Sequence, residues 1–475
     1  MRSLTLFVVV ALAPNAWSAR RESVDDLQTT VHGRIGKRVE WRKDAAADAE
    51  IARTVHGLLR GKLTADRAVQ VALLNNRQLQ ATFEEIGIAN ADLTEAGLLK
   101  NPSFDVSARF PDRPPSGTNL EFSIVQDFID VFLIPLRKKV AANELARAKL
   151  RVGDSALKLA SEVKTTFYTL QAKQQLLTRI TALGATNAAA LEFAQRQHEG
   201  GTINDLELAN QQASYSQGRA DAAEVAAELR ADREKLNRLM CVWGAETEWK
   251  IADELPSLPG RKLPVERLES LAVAQRLDLA AAKAELGAVV KSLGLTKTYR
   301  YLGAVEFGVD TEKEPDGQRV TGPTLRLELP VFNHGQGRIA KAQAQLRQAE
   351  RRLEAEAIAI RSEVREARDR LLAKENLASY YRDELIPERT RILQLTLEHY
   401  NAMLKGAYDL LLAKQNELAA ERSYIDALRD YWIARADLER AVGGSLTRSS
   451  SSSSSSSFKE MVETDRGRGR LREGR

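Results

Sequence analysis

The sequence predicts a mainly α protein with a small β part, built as two tandem copies of a long helical hairpin with two short strands in each copy. Three observations predict it. Leu145, Val152 and Leu159 recur every seven residues, and Ala156, Val163, Leu170 and Leu177 form a second series, the apolar seam of a coiled coil. The same pair of series returns as Leu346, Leu353 and Ile360 with Ala357, Val364, Leu371 and Ala378, at a constant offset of 201 residues. Four further segments alternate with period two, which a helix cannot use and a half-exposed strand requires.

Each repeat has the same order. A helix of moderate length opens it, Thr64 to Leu99 in the first and Pro264 to Lys297 in the second, with Thr64 placed as an N-cap. Leu79, Ala81, Glu85 and Gly87 of the first opening helix match Leu279, Ala281, Glu285 and Gly287 of the second. Two strand-like segments follow, then two long helices joined by a short polar turn. Residues 137 to 198 and 337 to 400 each give a rod of about 60 positions, which at ~1.5 Å per residue is on the order of 90 Å. Pro387 lies inside the second rod and should break or bend it, because it removes a backbone donor.

The strand segments carry the β part. Phe104, Val106, Ala108 and Phe110 alternate with Asp105, Ser107 and Arg109, and Leu120, Phe122 and Ile124 with Asn119, Glu121 and Ser123. In the second repeat Gly303, Val305, Phe307 and Val309 alternate with Ala304, Glu306, Gly308 and Asp310, and Leu325, Leu327 and Leu329 with Thr324, Arg326 and Glu328. One apolar face suits a membrane strand, for which about 9 to 11 tilted residues suffice. A soluble sheet covering a core would alternate in the same way. Four strands cannot close a membrane barrel, whose smallest members have about eight, so a membrane role demands several chains in a ring.

The N-terminus points to export. Arg2 precedes an apolar run from Leu4 to Ala13, followed by Ala16, Trp17 and Ser18 at a cleavage-like position, so residues 1–19 read as a signal peptide. That run is about half the roughly 20 residues of a membrane helix. The 70 basic and 65 acidic residues are interspersed, which argues against nucleic acid as a partner. Cys241 is the single cysteine, so no intramolecular disulfide and no cysteine-rich metal site is expected. It reads as a small packed side chain opposite Gly443 of the second repeat. His198 and His399 lie near the two hairpin turns without the ligand spacing a metal site needs. No catalytic constellation, cofactor-binding loop or metal site is read, and "HGQGRIA" only superficially resembles a phosphate loop.

At this point the sequence resembles the TolC-type outer-membrane efflux channel family over most of residues 60 to 444. "LTADRAVQVALLNNRQL" is similar to the family's opening helix, "LPVFNHGQGRIAKAQAQ" to its strand-to-helix junction and "LERAVGG" to its closing segment. The resemblance implies a homotrimer whose strands share a twelve-stranded transmembrane β-barrel and whose hairpins form a trimeric α-barrel in the periplasm. It implies three further partners: outer-membrane lipids, a periplasmic adaptor and an inner-membrane efflux pump. The function implied is a passive exit duct for metal cations or drugs, of the resistance-nodulation-division type, located in the cell outer membrane with a large periplasmic portion. An exported coiled-coil scaffold or adaptor without channel activity is the alternative; it would explain the heptads but not the strands. The lipid-facing set implied is Phe104, Val106, Phe110, Leu120, Phe122, Ile124, Val305, Phe307, Leu325, Leu327 and Leu329.

The resemblance also implies a periplasmic gate at the hairpin tips. In "HYNAMLKGAYDLLLAKQ" the positions Tyr400, Lys405 and Asp409 match the family pattern, and Asp205 in "GGTINDLELANQQ" holds the equivalent tip of the first hairpin. Solvated helix-turn charge is the alternative at those positions. Leu412 stands where some members add a second aspartate, so any acidic ring is single. No cysteine follows the signal sequence, so no lipid anchor is expected. The expected organisation is a signal peptide at 1–19, a periplasmic segment at 20–63, the first repeat at 64–244, an inter-repeat linker at 245–264, the second repeat at 265–444 and a disordered tail at 445–475. That tail holds nine consecutive serines, 449–457, and a basic end.

Overall fold

The computed structural model describes residues 16–42, 45–110, 112–113, 117–127, 129–260, 267–298, 305–328 and 331–446, without the side chains of 16–25, 129 and 130. The chain is mainly helical with a four-stranded sheet, as expected. Two helices that were not read from the sequence come first, α1 (Ala16–Ile35) and α2 (Ala45–Leu59), and a two-residue strand β1 (Lys62–Leu63) follows. Residues 1–15 of the expected signal peptide, Pro264 and the 265 boundary, Gly303, Ala304, Leu329 and the tail from 447 lie outside the described residues.

Each opening helix is two helices. In the first repeat α3 (Ala65–Asn75) and α4 (Arg77–Glu95) meet at Asn76, and in the second α7 (Leu268–Gln275) and α8 (Leu277–Thr298) meet at Arg276, 200 positions later. Asn76 has an extended ψ of 117° and its side chain accepts from the Leu79 amide, which ends one helix and caps the next. The Thr64 cap is present, with the Arg67 amide donating to its Oγ1 at 3.2 Å.

The rods follow the expected order. The first, α5 (Ile129–Glu199), runs for 71 residues and starts eight residues before the expected 137, with Pro135 inside it. A proline there removes one hydrogen bond, to the Val131 carbonyl, near a helix end where the first four amides lack intrahelical partners anyway. The hairpin returns as α6 (Asp205–Met240). In the second repeat α9 (Gln336–Tyr380) passes through a π-helical turn at Tyr381–Leu385 into α10 (Ile386–Asn401), and α11 (Ala407–Val442) returns. The break expected from Pro387 therefore takes the form of a widened turn just ahead of the proline, which relieves its clash with the preceding carbonyls.

The heptad series are the buried lines of both rods. Val152, Ala156, Val163 and Leu170 of α5 are nearly inaccessible, as are Ile360, Val364, Leu371 and Ala378 of α9. One core gathers these α5 positions with Leu27 and Val31 of α1, Phe83 of α4 and Leu236 of α6. The other joins the α9 line to Tyr431 and Leu438 of α11. Each fully buried side chain of this size contributes about 1.5–3 kcal/mol, so the seams rather than helix propensity hold the rods.

The described part of the segment between the repeats, 245–260, is folded. A 3₁₀ turn at Gly244–Thr247 leads to β4 (Lys250–Ile251), which pairs in parallel with β1. Trp249 is buried, donates to Asn237 Oδ1 at 2.9 Å and lies under the Arg233 guanidinium, 4.1 Å from its ring centre. At the other end Leu446 is buried and the Ser445 amide donates to the Arg34 carbonyl at 2.8 Å, so packing continues past Gly444.

Cys241 is half-buried, and ends α6 in the left-handed conformation at φ 51°. Gly443 fills the same role after α11 at φ 88°, where a Cβ would sit 3.2 Å from the Arg276 Cα. A side chain pays roughly 1–2 kcal/mol for that backbone and glycine does not, although glycine has more entropy to lose. Cys241→Gly is accordingly expected to raise stability by about 0.5–1 kcal/mol in reversible denaturant unfolding. A loss of stability would mean that the Cys241 Sγ contacts with the Arg77 amide and the Arg238 carbonyl outweigh the strain.

Candidate functional site

The four strands β2 (Ser103–Arg109), β3 (Asn119–Asp127), β5 (Val305–Lys313) and β6 (Arg319–Leu327) form one antiparallel sheet in the order β2-β3-β5-β6. Its register decides which side chains share a face, because directly paired residues point the same way. Phe104 pairs with Ile124, which pairs with Val309; Val106 pairs with Phe122; Phe307 pairs with Leu325 and Val305 with Leu327. The described strand residues of the expected lipid-facing set, Leu120 included, therefore stand on one face. Phe110 lies one residue beyond β2, with its side chain exposed. Val309 belongs to the face as well, and the expected set had missed it.

Among the described residues nothing covers that face. Phe104, Val106, Ile124, Val309, Leu325 and Leu327 each keep more than half of their surface exposed. Phe104 and Phe122 stack on one another at 6.4 Å between ring centres. The opposite face is polar and internally bonded. Arg109 pairs with Glu121 at 3.1 Å, Arg326 with Glu306 at 3.0 Å, Asn119 donates to Glu312 at 2.6 Å, and Thr324 donates to Asp310. Among the described residues β2 and β6 each leave one edge without a partner strand. An apolar face left exposed and two open strand edges are the features that call for a covering surface and for further strand pairing.

At the far end of the rods are the two tips, 200–204 and 402–406. The structure brings Lys405 and Asp409 together on the second tip, Nζ to Oδ1 3.5 Å, while Asp409 Oδ2 also accepts from the Gly406 amide at 3.1 Å and caps its own helix. Tyr400 is partly exposed on the last turn of α10. Asp205 is not joined to these three; it bonds His198 Nε2 at 2.7 Å across the first tip. Sequence reading had set His198 aside as a surface histidine, and its spacing of seven from Asp205 across a turn gave no pattern to find. Tyr408 lies beside these groups, its hydroxyl raised by burial and by the charge of Glu207.

Sequence reading also passed over Glu417, a buried carboxylate in the second hairpin. Burial alone would raise it, but hydrogen bonds from Lys414 at 2.6 Å and Thr390 at 2.9 Å hold it below the ordinary range. Thr390 lies three residues past Pro387, so this bond ties α10 to α11 directly below the π turn. Among the described residues no group of three or more His, Cys, Asp and Glu is placed to hold a metal ion, and no helix is long and apolar enough to cross a membrane.

Residues 268–444 match the outer membrane efflux protein family. The match covers the second repeat, from α7 to the end of α11. Solved structures extend the likeness to the first repeat as well. CusC, a transmembrane channel, superposes with a TM-score of 0.68 at 17% identity, over 80% of this chain and 92% of its own. The Campylobacter jejuni CmeC outer membrane channel gives 0.68 at 17%, over 83% and 88%. The Vibrio cholerae outer membrane protein VceC gives 0.67 at 14%, over 80% and 96%. No curated protein sequence matches the chain. The resemblance read from the sequence therefore holds: the family model matches the second repeat, and the fold shared with these solved membrane proteins spans both.

Proposed function

We propose that this protein is the outer-membrane channel of a tripartite efflux system: a passive duct that receives solutes from an inner-membrane pump and releases them outside the cell. The observation that carries the proposal is the sheet, whose apolar face is uncovered and whose two edges are open. Three copies would supply twelve strands, enough to close a barrel with the apolar faces outward. The rods, too long for any globule, would then wall a tunnel through the periplasm, where an adaptor can grip them. A scaffold without a channel has no use for an apolar sheet face.

Recovery as a detergent-extracted trimer from the outer membrane, conducting in planar bilayers, is the expected result. Extraction by salt alone would defeat the proposal. The tips serve as the periplasmic gate, with Asp205, Tyr400, Lys405 and Asp409 as the residues that hold it. The Lys405–Asp409 pair is about half exposed, so it contributes roughly 0–1 kcal/mol, weak enough for a partner to exchange. Three copies of Asp409 near the axis would favour cations over anions. Replacing both residues, Lys405→Ala with Asp409→Ala, is expected to raise single-channel conductance; unchanged conductance would remove them from the gate.

A further inference from the structure

We propose that the junction between sheet and rods is a docking belt for anionic phospholipid headgroups, in the bilayer leaflet nearest the rods. The inference rests on the membrane reading above and names the lipid class. Both strand-to-rod junctions begin with exposed apolar side chains directly beyond the sheet: Phe132 is 68% exposed in the first turn of α5, and Phe332 is 94% exposed just ahead of α9. Aromatic side chains at this level are the usual boundary of a membrane barrel.

Beyond the apolar level the same two rods turn basic. Lys138 and Lys139 of α5 and Arg338 and Lys341 of α9 are all exposed. Among the described residues none of these four has a carboxylate partner. Between Lys138 and Glu144 on α5, and from Val331 to Glu350 across the start of α9, the sequence holds no acidic residue.

Arg338, in the first turn of α9, opposes the usual preference, because the first turn of a helix favours acidic side chains and penalises basic ones. Among the described residues no ion pair within the chain holds the four side chains in place. A layer of phosphates outside the protein would satisfy their charges. The distance fits as well. Lys138 lies six residues past Phe132 in α5, about 9 Å along the helix at ~1.5 Å per residue, close to the roughly 5–8 Å of headgroup region beyond the hydrocarbon edge. Clustered Lys and Arg beside a membrane element recognise anionic rather than zwitterionic lipids.

The test uses the full chain in detergent, titrated with phosphatidylglycerol or with phosphatidylethanolamine and read by native mass spectrometry. The protein is expected to retain phosphatidylglycerol about fivefold more strongly or better, with the preference fading as salt is raised. The variant K138Q/K139Q/R338Q/K341Q is expected to retain the two lipids equally. Equal retention by the unaltered protein, or a preference insensitive to salt, overturns the inference even if the variant fails to assemble. Reconstitution of the unaltered protein into vesicles separates the two levels: insertion with no lipid preference leaves the channel reading standing and removes the belt, whereas failure to insert removes the channel reading itself.

Discussion

Phe122→Arg is expected to eliminate the protein from the outer membrane, while Ser123→Arg, one residue along, leaves it there. The two positions are adjacent in β3 but point to opposite faces, Phe122 beside Val106 on the apolar side and Ser123 beside Asp105 and Asp310 on the polar side. An arginine on the lipid face near the bilayer midplane costs about 2–4 kcal/mol, and a ring of copies multiplies that cost. The same arginine on the polar face joins a surface already rich in carboxylates. Density-gradient fractionation, with extraction by urea or detergent as the second readout, distinguishes the outcomes. Membrane recovery of both variants alike would show that the apolar face does not meet lipid.

The second large effect lies where the two opening helices of the second repeat meet. Arg276 is mostly buried and its guanidinium binds both oxygens of Asp278, at 3.1 Å from Nε, and reaches Glu363 of α9 as well. Burial alone would lower the arginine's pKa, but its two carboxylate partners hold it above the ordinary value. For Asp278, burial would raise the carboxyl and the Arg276 hydrogen bonds more than reverse that, leaving it below the ordinary range. Arg276→Met strands the largely buried carboxylate of Asp278. Breaking a buried pair costs about 3–5 kcal/mol, and because Glu363 is half exposed the expected loss is nearer 2–3 kcal/mol.

The pH dependence follows from the direction of the shift. A carboxyl whose folded pKa is depressed contributes stability above its unfolded value, near 4, and loses it as pH falls through the lower folded value. The deficit of Arg276→Met is therefore expected in full at pH 7 and to shrink below about pH 4. Glu356, which burial raises first and Asp278 raises further, acts in the opposite sense: its protonation on acidification relieves a cost. Denaturant unfolding of both proteins at pH 7 and at pH 3 measures the difference. A deficit that stays constant with pH would mean that lost packing, not charge, is responsible.

The large features of this fold were legible because they repeat. Leu371 and Val364 announce their burial through a heptad shared with Leu170 and Val163, and Phe122 announces its face through alternation. Both signals are averages over many residues. The parts that were not legible hang on single positions. Asn76 and Arg276 split helices whose apolar spacing continues across the break, so periodicity alone joins α3 to α4 and α7 to α8. α1 is polar enough to show little amphipathic pattern; its place is set by Leu27 and Val31 alone among its described core residues. At the tips, Lys405 and Asp409 were read as gate positions without a pairing, and the structure joins them four residues apart. The bond from Asp205 to His198 crosses a turn whose geometry no spacing encodes. Trp249 shows a similar limit, since a segment rich in proline reads as a connector until its tryptophan is seen buried.

The duplication produced two rods of the same origin, and they no longer have the same mechanics. Past Pro135, α5 runs to Glu199 without interruption, whereas the matching path through α9 and α10 contains a π turn and a proline, for which the stretch of α5 around 180–186 has no counterpart. Bending in a helix concentrates where its ladder of hydrogen bonds is interrupted. Thermal flexing of the molecule is thus gathered into one joint of one hairpin. A pair of equal beams has become a strut and a jointed arm.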